Sequence, residues 1–172
     1  MPQPGYFQSR VAEPSAAAHV TPLPGGTYIQ RLRQVLGEAK TNIDIMQYQW
    51  NWYPHKPEST IQKLNQEILG CMRRGVKIRV IMNQEGAGHR LTTINLNTKN
   101  NLEAAGAKIK LGQRIPIVHA KYWIIDDDIC ILGSHNLSQR SVTSNDEVSA
   151  EIRSREFVRE VKNYFELAWG RY

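Results

Sequence analysis

His119-Ala-Lys121-Tyr-Trp-Ile-Ile-Asp126-Asp127-Asp128-Ile-Cys-Ile-Leu-Gly133-Ser134-His135-Asn136 is the stretch whose reading decides the fold. Its first half, with the residues just before it, is an apolar run that predicts a strand over Ile117–Ile125. Asp126-Asp127-Asp128 then predicts a tight turn, because aspartate hydrogen-bonds its own backbone and tolerates left-handed geometry. Ile129–Leu132 returns as the hairpin partner. Residues two apart on a strand face the same way, about 6.6–7 Å apart. His119 and Lys121 therefore share one face, and Val118, Ala120 and Tyr122 share the other. An imidazole beside an ammonium on an otherwise apolar strand is costly unless an anion joins them, which marks this face as a site.

Outward from the hairpin, helices alternate with strands. Tyr28, Leu32, Val35, Leu36 and Ala39 fall on one helical face. Ile43, Ile45 and Met46 make a short strand, followed by an aromatic-rich run through Tyr48, Trp50, Trp52 and Tyr53. Ser59 and Gln62 form a capping-box pair that opens a helix burying Ile61, Leu64, Ile68 and Met72. Arg73, Arg74 and Gly75 suit its end. Val76–Met82 reads as a strand, Leu91–Ala105 as a helix stopped by Gly106, and Ala107–Leu111 as a further strand. Val148–Ile152 is a strand, and Ser154 caps a last helix buried through Phe157, Val161, Phe165 and Trp169. The pattern predicts an α/β layered sheet with parallel pairs in its first half. Residues 1–26 hold five of the eight prolines and predict an extended arm, leaving one domain over residues 27–172.

Composition narrows the functional class. The chain is 41% hydrophobic and 22% charged, as expected of a globular domain, and its formal net charge of +6 favours polyanionic partners. Nucleic acid comes first among these, and acidic membrane surfaces second. Cys71 and Cys130 have neither disulfide nor metal-ligand spacing and read as small buried hydrophobes. No stretch approaches the length of a membrane span, and the N-terminus lacks a signal-peptide pattern, so a cytoplasmic location is expected.

Taken as a motif, the opening stretch is HxK(x)4D(x)6GSxN, six specified positions matched without a gap. This resembles the HKD signature of the phospholipase D superfamily. The resemblance implies an α-β-α sandwich with a mixed central sheet, and phosphodiester cleavage through a phosphohistidine without metal or other cofactor. His119 would be the nucleophile, with Lys121 and Asn136 holding the non-bridging oxygens and Ser134 donating a further hydrogen bond. Asp126 is expected to orient backbone or neighbouring groups. Glu147, with Asp146 as the fallback, is expected to accept from the second nitrogen of His119. The signature occurs once, whereas phospholipases of this family generally carry two. A complete site would then need a homodimer, with His119 of a second copy as general acid and base. His135 occupies the variable position of the motif and is no substitute. The resemblance is nearest to the small bacterial Nuc-type endonucleases and spans roughly residues 20–170. It implies a non-specific nuclease acting on DNA, with RNA as the alternative.

Other readings compete. Trp50 and Trp52 follow a strand end and could stack on nucleobases, or form a hydrophobic lid or dimer contact. His89 and Arg90 lie in a glycine-containing loop after the next strand and are expected to contact substrate. The triple aspartate could suggest a divalent-metal nuclease, but consecutive carboxylates splay apart. Zinc bound by His119 and His135 is disfavoured by Lys121, so no metal is expected. A phospholipase would require a membrane-docking element, and only the aromatic run after Tyr48 offers one, so no stable membrane association is expected. A non-catalytic phosphate-binding module is the third reading, against which stands the retention of every signature residue.

Overall fold

The computed structural model describes residues 17–113 and 115–172. The strands are β1 (His19–Pro24), β2 (Asn42–Gln47), β3 (Lys77–Met82), β4 (Lys108–Leu111), β5 (Tyr122–Ile125), β6 (Ile129–Gly133) and β7 (Val148–Arg153). The helices are α1 (Gly26–Glu38), α2 (Thr60–Arg73), α3 (Arg90–Ala104), α4 (Gln139–Thr143) and α5 (Arg155–Arg171). The strands form one mixed sheet in the order β1-β7-β6-β5-β2-β3-β4. β2, β3 and β4 run parallel, joined by α2 and α3, whereas β2–β5, β5–β6, β6–β7 and β7–β1 pair antiparallel. Antiparallel β5 thus starts where the parallel strands end, so its N-terminal side lies at the sheet edge where open α/β folds bind ligands.

Strand alternation divides the core in two. Ile43, Ile45, Trp123, Ile125 and Ile131 face one way, where Leu32, Leu36, Leu64 and Ile68 of α1 and α2 pack on them. Met46, Ile124 and Cys130 face the other way, beneath Val158, Phe165 and Ala168 of α5. Each fully buried Leu or Ile contributes roughly 1.5–3 kcal/mol. Caps agree with the sequence: the hydroxyl of Ser59 accepts from Gln62 N, and that of Ser154 accepts from Phe157 N. The Gln62 side chain does not close the capping box; its carbonyl accepts from Tyr53 N at 2.9 Å and from Asn65. Helix α5 is held to the sheet by charge as well. Buried Asp44 of β2 receives Arg79 through two bonds of 2.7 and 2.9 Å, and also Lys162 of α5.

Three expectations are corrected. The described end of the expected arm is β1, an edge strand in register with β7 (His19 opposite Arg153, Pro24 opposite Val148); residues 1–16 lie outside the described residues. Pro22 and Pro24 lack donors, and an edge strand, unlike a central one, tolerates that. The strand expected over 117–125 is formed only from Tyr122, because Val118 donates its N–H to the side chain of Asn83 at 2.9 Å. Pairing reaches as far as Lys121, whose carbonyl accepts from Gly133 N. The buried face of α5 is Val158, Phe165 and Ala168, with Phe157, Val161 and Trp169 at its margin. The short helix α4, capped by Ser138, is one turn long and left no helical periodicity to read.

Candidate active site

The β5–β6 hairpin carries the signature, and its open end gathers the reactive groups. His119 and Lys121 precede β5; Ser134 and Asn136 follow β6. Lys121 Nζ lies 3.3 Å from His119 Nδ1 and 2.6 Å from the His119 carbonyl oxygen, so the two side chains share a face although the segment is not a regular strand. His119 is exposed. Burial pushes the Lys121 ammonium below its ordinary pKa, and the Glu147 carboxylate partly offsets the shift.

Gly133 sets the path of the GSxN segment. A Cβ there would come within 2.4 Å of Val148 O and Ser149 Cα, so β7 can pass this closely only beside glycine. That approach brings Glu147 against Ser134. The Glu147 carboxylate accepts from the hydroxyls of Ser134 (2.5 Å) and Ser141 (2.9 Å) and from the Asn145 amide (3.2 Å). Burial raises the Glu147 pKa, but these donors outweigh it and hold the carboxyl below its usual range. The Ser141 hydroxyl also accepts from Asn136 N at 2.9 Å, linking Glu147 to the asparagine.

This geometry differs from expectation at several residues. Among the described residues Glu147 makes no hydrogen bond to His119; it organises the Ser134–Asn136 side, because β7 runs beside β6 rather than beside β5. The hydroxyl hydrogen of Ser134 is committed to Glu147 and its oxygen accepts from Val148 N, so it is not a free phosphate donor. Asp146 lines a shallow recess with Glu147 and does not replace it. Asp126 stands at the turn end of the hairpin, away from His119. It accepts from the backbone N–H of Lys40, Thr41 and Asn42 and from the Thr41 hydroxyl. Asp127 instead meets Lys162 and Asn42, and Asp128 faces Arg153, so the three carboxylates diverge. His135 is buried, its Nδ1 2.7 Å from Ser149 Oγ and its ring stacked on Tyr28. Burial lowers its pKa, and Glu147 and the Gly25 backbone oppose the shift.

The expected substrate contacts divide. Trp50 is 0% exposed and its indole N–H donates to Asn65 Oδ1 at 2.8 Å, so it is core and cannot stack on a base. Trp52 packs at the core's rim. His89 and Arg90 do line an open cleft of about 600 Å³, shared with Tyr48, Tyr53, Asn136 and Arg140. His89 also caps α3, its Nδ1 accepting from Leu91 N at 3.2 Å. Tyr48 was not singled out for the site from the sequence. Its ring lies 4.9 Å from the imidazole of His119 and 5.3 Å from Lys121 Nζ, walling the pair on one side. Ser141, Asn145 and Arg140 were likewise unmarked; they follow the signature, but their roles depend on α4 turning back over it.

Comparison with known proteins agrees with this construction. The model of the family described as cardiolipin synthase, PLD-like domain matches residues 32–169. The chain belongs to that family. The solved structure of Nuc, a phospholipase D family member from Salmonella typhimurium, superposes with a TM-score of 0.72 at 20% identity, covering 90% of this chain and 94% of that one. NucT from Helicobacter pylori gives 0.69, also at 20% identity, with coverages of 90% and 97%. These PLD-like neighbours share its fold. By sequence, the chain is 26% identical over 147 residues to the 5′-3′ exonuclease PLD3 of Xenopus tropicalis, covering 78% of this chain and 28% of that protein. It is 26% identical over 145 residues to the virion nicking-joining enzyme of vaccinia virus (strain Copenhagen), covering 80% and 32%. It is 24% identical over 148 residues to the mitochondrial cardiolipin hydrolase of Canis lupus familiaris, covering 86% and 53%. The chain thus spans about a third or less of the length of the first two. No described helix of this PLD-like domain is long and apolar enough to cross a membrane.

Proposed function

We propose that this PLD-like chain is a phosphodiesterase of the nuclease type, acting on DNA or RNA through a covalent phosphohistidine and without a metal. The observation that carries the reading is the exposed His119 beside Lys121 at 3.3 Å, walled by Tyr48, which with Asn136 also lines a cleft of arginine and amide side chains. A nitrogen of His119 attacks phosphorus, and the N–P bond forms as the bond to the leaving oxygen breaks. Lys121 and Asn136 take the non-bridging oxygens and offset the charge of the five-coordinate transition state. Glu147, through Ser134 and Ser141, positions Asn136 and favours the charged form of Lys121.

The leaving oxygen needs a proton, and the water that cleaves the N–P bond must lose one. The reading assigns both transfers to His119 of a second copy across a two-fold axis, because the signature occurs once in the sequence. Relatives named as an exonuclease and a nicking-joining enzyme support nucleic acid as substrate. A relative named as a cardiolipin hydrolase, and the family description itself, supply the rival, a lipid phosphodiester.

The test is incubation with labelled single- and double-stranded DNA, RNA, and phosphatidylcholine or cardiolipin vesicles in excess EDTA, beside His119→Ala. EDTA-resistant nucleic-acid cleavage lost in the variant, with acid-labile label trapped on His119, is the expected result. Lipid turnover alone moves the assignment to a phospholipase. Tight DNA binding with no turnover moves it to a binding module.

A further inference from the structure

The cleft that starts at Asn136 and Tyr48 continues beyond the signature, between the start of α3 and α4. Arg90 stands on one wall and Arg140 on the other, each exposed. Neither guanidinium makes an ion pair or hydrogen bond among the described residues, whereas Arg31, Arg33, Arg79 and Arg153 each hold a carboxylate. No carboxylate lines the cleft; the nearby acid, Glu147, is covered by Ser141 and Asn145, which do. Two unneutralised planar cations facing a common space are suited to an anion with several oxygens.

The rest of the lining says what accompanies that anion. Tyr53 and the half-buried side chain of Ile94 offer a flat and an apolar surface. The same lining holds Gln49 and Asn51, joined by a bond of 2.7 Å from Gln49 Nε2 to Asn51 Oδ1. That bond leaves the Gln49 carbonyl oxygen free to accept from a base edge and the Asn51 amide nitrogen free to donate to it. A volume of about 600 Å³ falls in the range of small-ligand sites, which take one unpaired nucleotide and not a duplex. The walls have a fixed position relative to Asn136. Leu137 bridges to Trp50, and Gln139 of α4 reaches Thr60 at the start of α2.

We infer that the α3–α4 cleft is a subsite for the nucleotide adjoining the scissile phosphate of a single strand, with that nucleotide's own phosphate held between Arg90 and Arg140. The inference rests on the phosphodiesterase reading of His119 and adds to it the substrate class and the residues that select it.

The test compares Arg90→Gln, Arg140→Gln and the double variant with wild type on two substrates. One is bis(p-nitrophenyl) phosphate, which has no neighbouring phosphate; the other is a labelled oligothymidylate. Each single variant is expected to lose about tenfold more kcat/KM on the oligonucleotide than on the small diester, chiefly through KM. The salt dependence of oligonucleotide binding should become shallower by about 0.7 in log–log slope for each arginine removed. Equal losses on both substrates, or no loss on the oligonucleotide, would overturn the subsite. So would a duplex bound more tightly than the single strand, or variants that weaken binding to anionic vesicles alone. If wild type hydrolyses neither substrate, the phosphodiesterase reading fails by itself. Fluorescence anisotropy with the oligothymidylate still decides the subsite, since unchanged affinity in the double variant overturns it and a loss supports it.

Discussion

Replacing Asp126 with alanine should unfold the protein more easily while leaving its chemistry intact, although Asp126 belongs to the signature. Three backbone N–H groups, from Lys40, Thr41 and Asn42, lose their acceptor, as does the Thr41 hydroxyl. The turn is half exposed, so water recovers part of the loss, and about 0.5–0.75 kcal/mol for each of the four bonds, or roughly 2–3 kcal/mol in all, is expected. The backbone at Asp126 is left-handed, with φ 52°. Alanine tolerates that less well than aspartate, adding roughly 1 kcal/mol. A total of about 3–4 kcal/mol corresponds to a fall in Tm of roughly 6–16 °C for a domain of this size. Asp126→Asn keeps a side-chain acceptor and the tolerance of left-handed backbone, and should lose about half as much.

The pH dependence follows from the same contacts. Burial raises the Asp126 pKa, but the donors from Thr41, Lys40 and Asn42 outweigh it and the net shift is downward. A carboxyl depressed in the folded state stabilises fully above its unfolded value of about 3.9, and the contribution is lost as pH falls through the folded value. The Tm gap between wild type and Asp126→Ala should therefore be full near neutrality and shrink in acid below about pH 4. Circular-dichroism melts across that range, with kcat/KM measured well below Tm, check both halves. An Asp126→Ala protein that melts like wild type yet has lost its turnover would refute the structural role.

Three further outcomes follow from the site and its surroundings. If two copies share one site, mixing wild type with His119→Ala under exchange should make activity follow the square of the wild-type fraction, and a linear fall would exclude sharing. Glu147→Gln removes the charge that supports the Lys121 ammonium, so the alkaline limb of the pH–rate profile should move to lower pH; an unmoved limb would separate the two residues. Trp50→Ala should cost about 3–5 kcal/mol in denaturant unfolding. Any loss of DNA binding in that variant should vanish under conditions where it is fully folded, and a persisting loss would restore Trp50 to the substrate surface.

The sheet was legible because its strands obey simple alternation and its helices carry their own caps. Ser59 and Ser154 announce α2 and α5, and the β5–β6 hairpin follows from an apolar run broken by three aspartates. That His119 and Lys121 lie side by side, at the end of the hairpin where the residues after β6 return, was legible too. What failed depended on long-range geometry. Trp50 sits in an aromatic run that reads as surface, yet the Asn65 side chain, 15 residues on, satisfies its indole and lets it bury. Glu147 was expected on His119 from the family resemblance, whereas within this chain β7 pairs with β6 and delivers it to Ser134. β1 was hidden because prolines suggest an arm, and only its partner β7 makes it a strand.

The placement of Asp126 explains why the signature contains a residue remote from His119 and Lys121. The hairpin strands β5 and β6 must hold His119 and Lys121 in register with Ser134 and Asn136, and a one-residue slip would turn every side chain to the other face. Register is fixed at both ends. At the open end Gly133 admits the β7 backbone, and Gly133 N bonds to the Lys121 carbonyl. At the turn, Asp126 ties the hairpin to the loop between α1 and β2, and Asp126 N donates to Asn42 O. The four strand residues between them span about 13–14 Å, too far for direct influence on phosphorus but short enough to transmit register rigidly. The spacing of the signature is thus the length of a clamped hairpin. A lengthened turn, with one residue inserted between Asp127 and Asp128, should leave Asp126 in place, release β6, and abolish turnover with a smaller loss of stability than Asp126→Ala. Turnover surviving that insertion would mean that the site tolerates slippage and that the clamp is not what the spacing encodes.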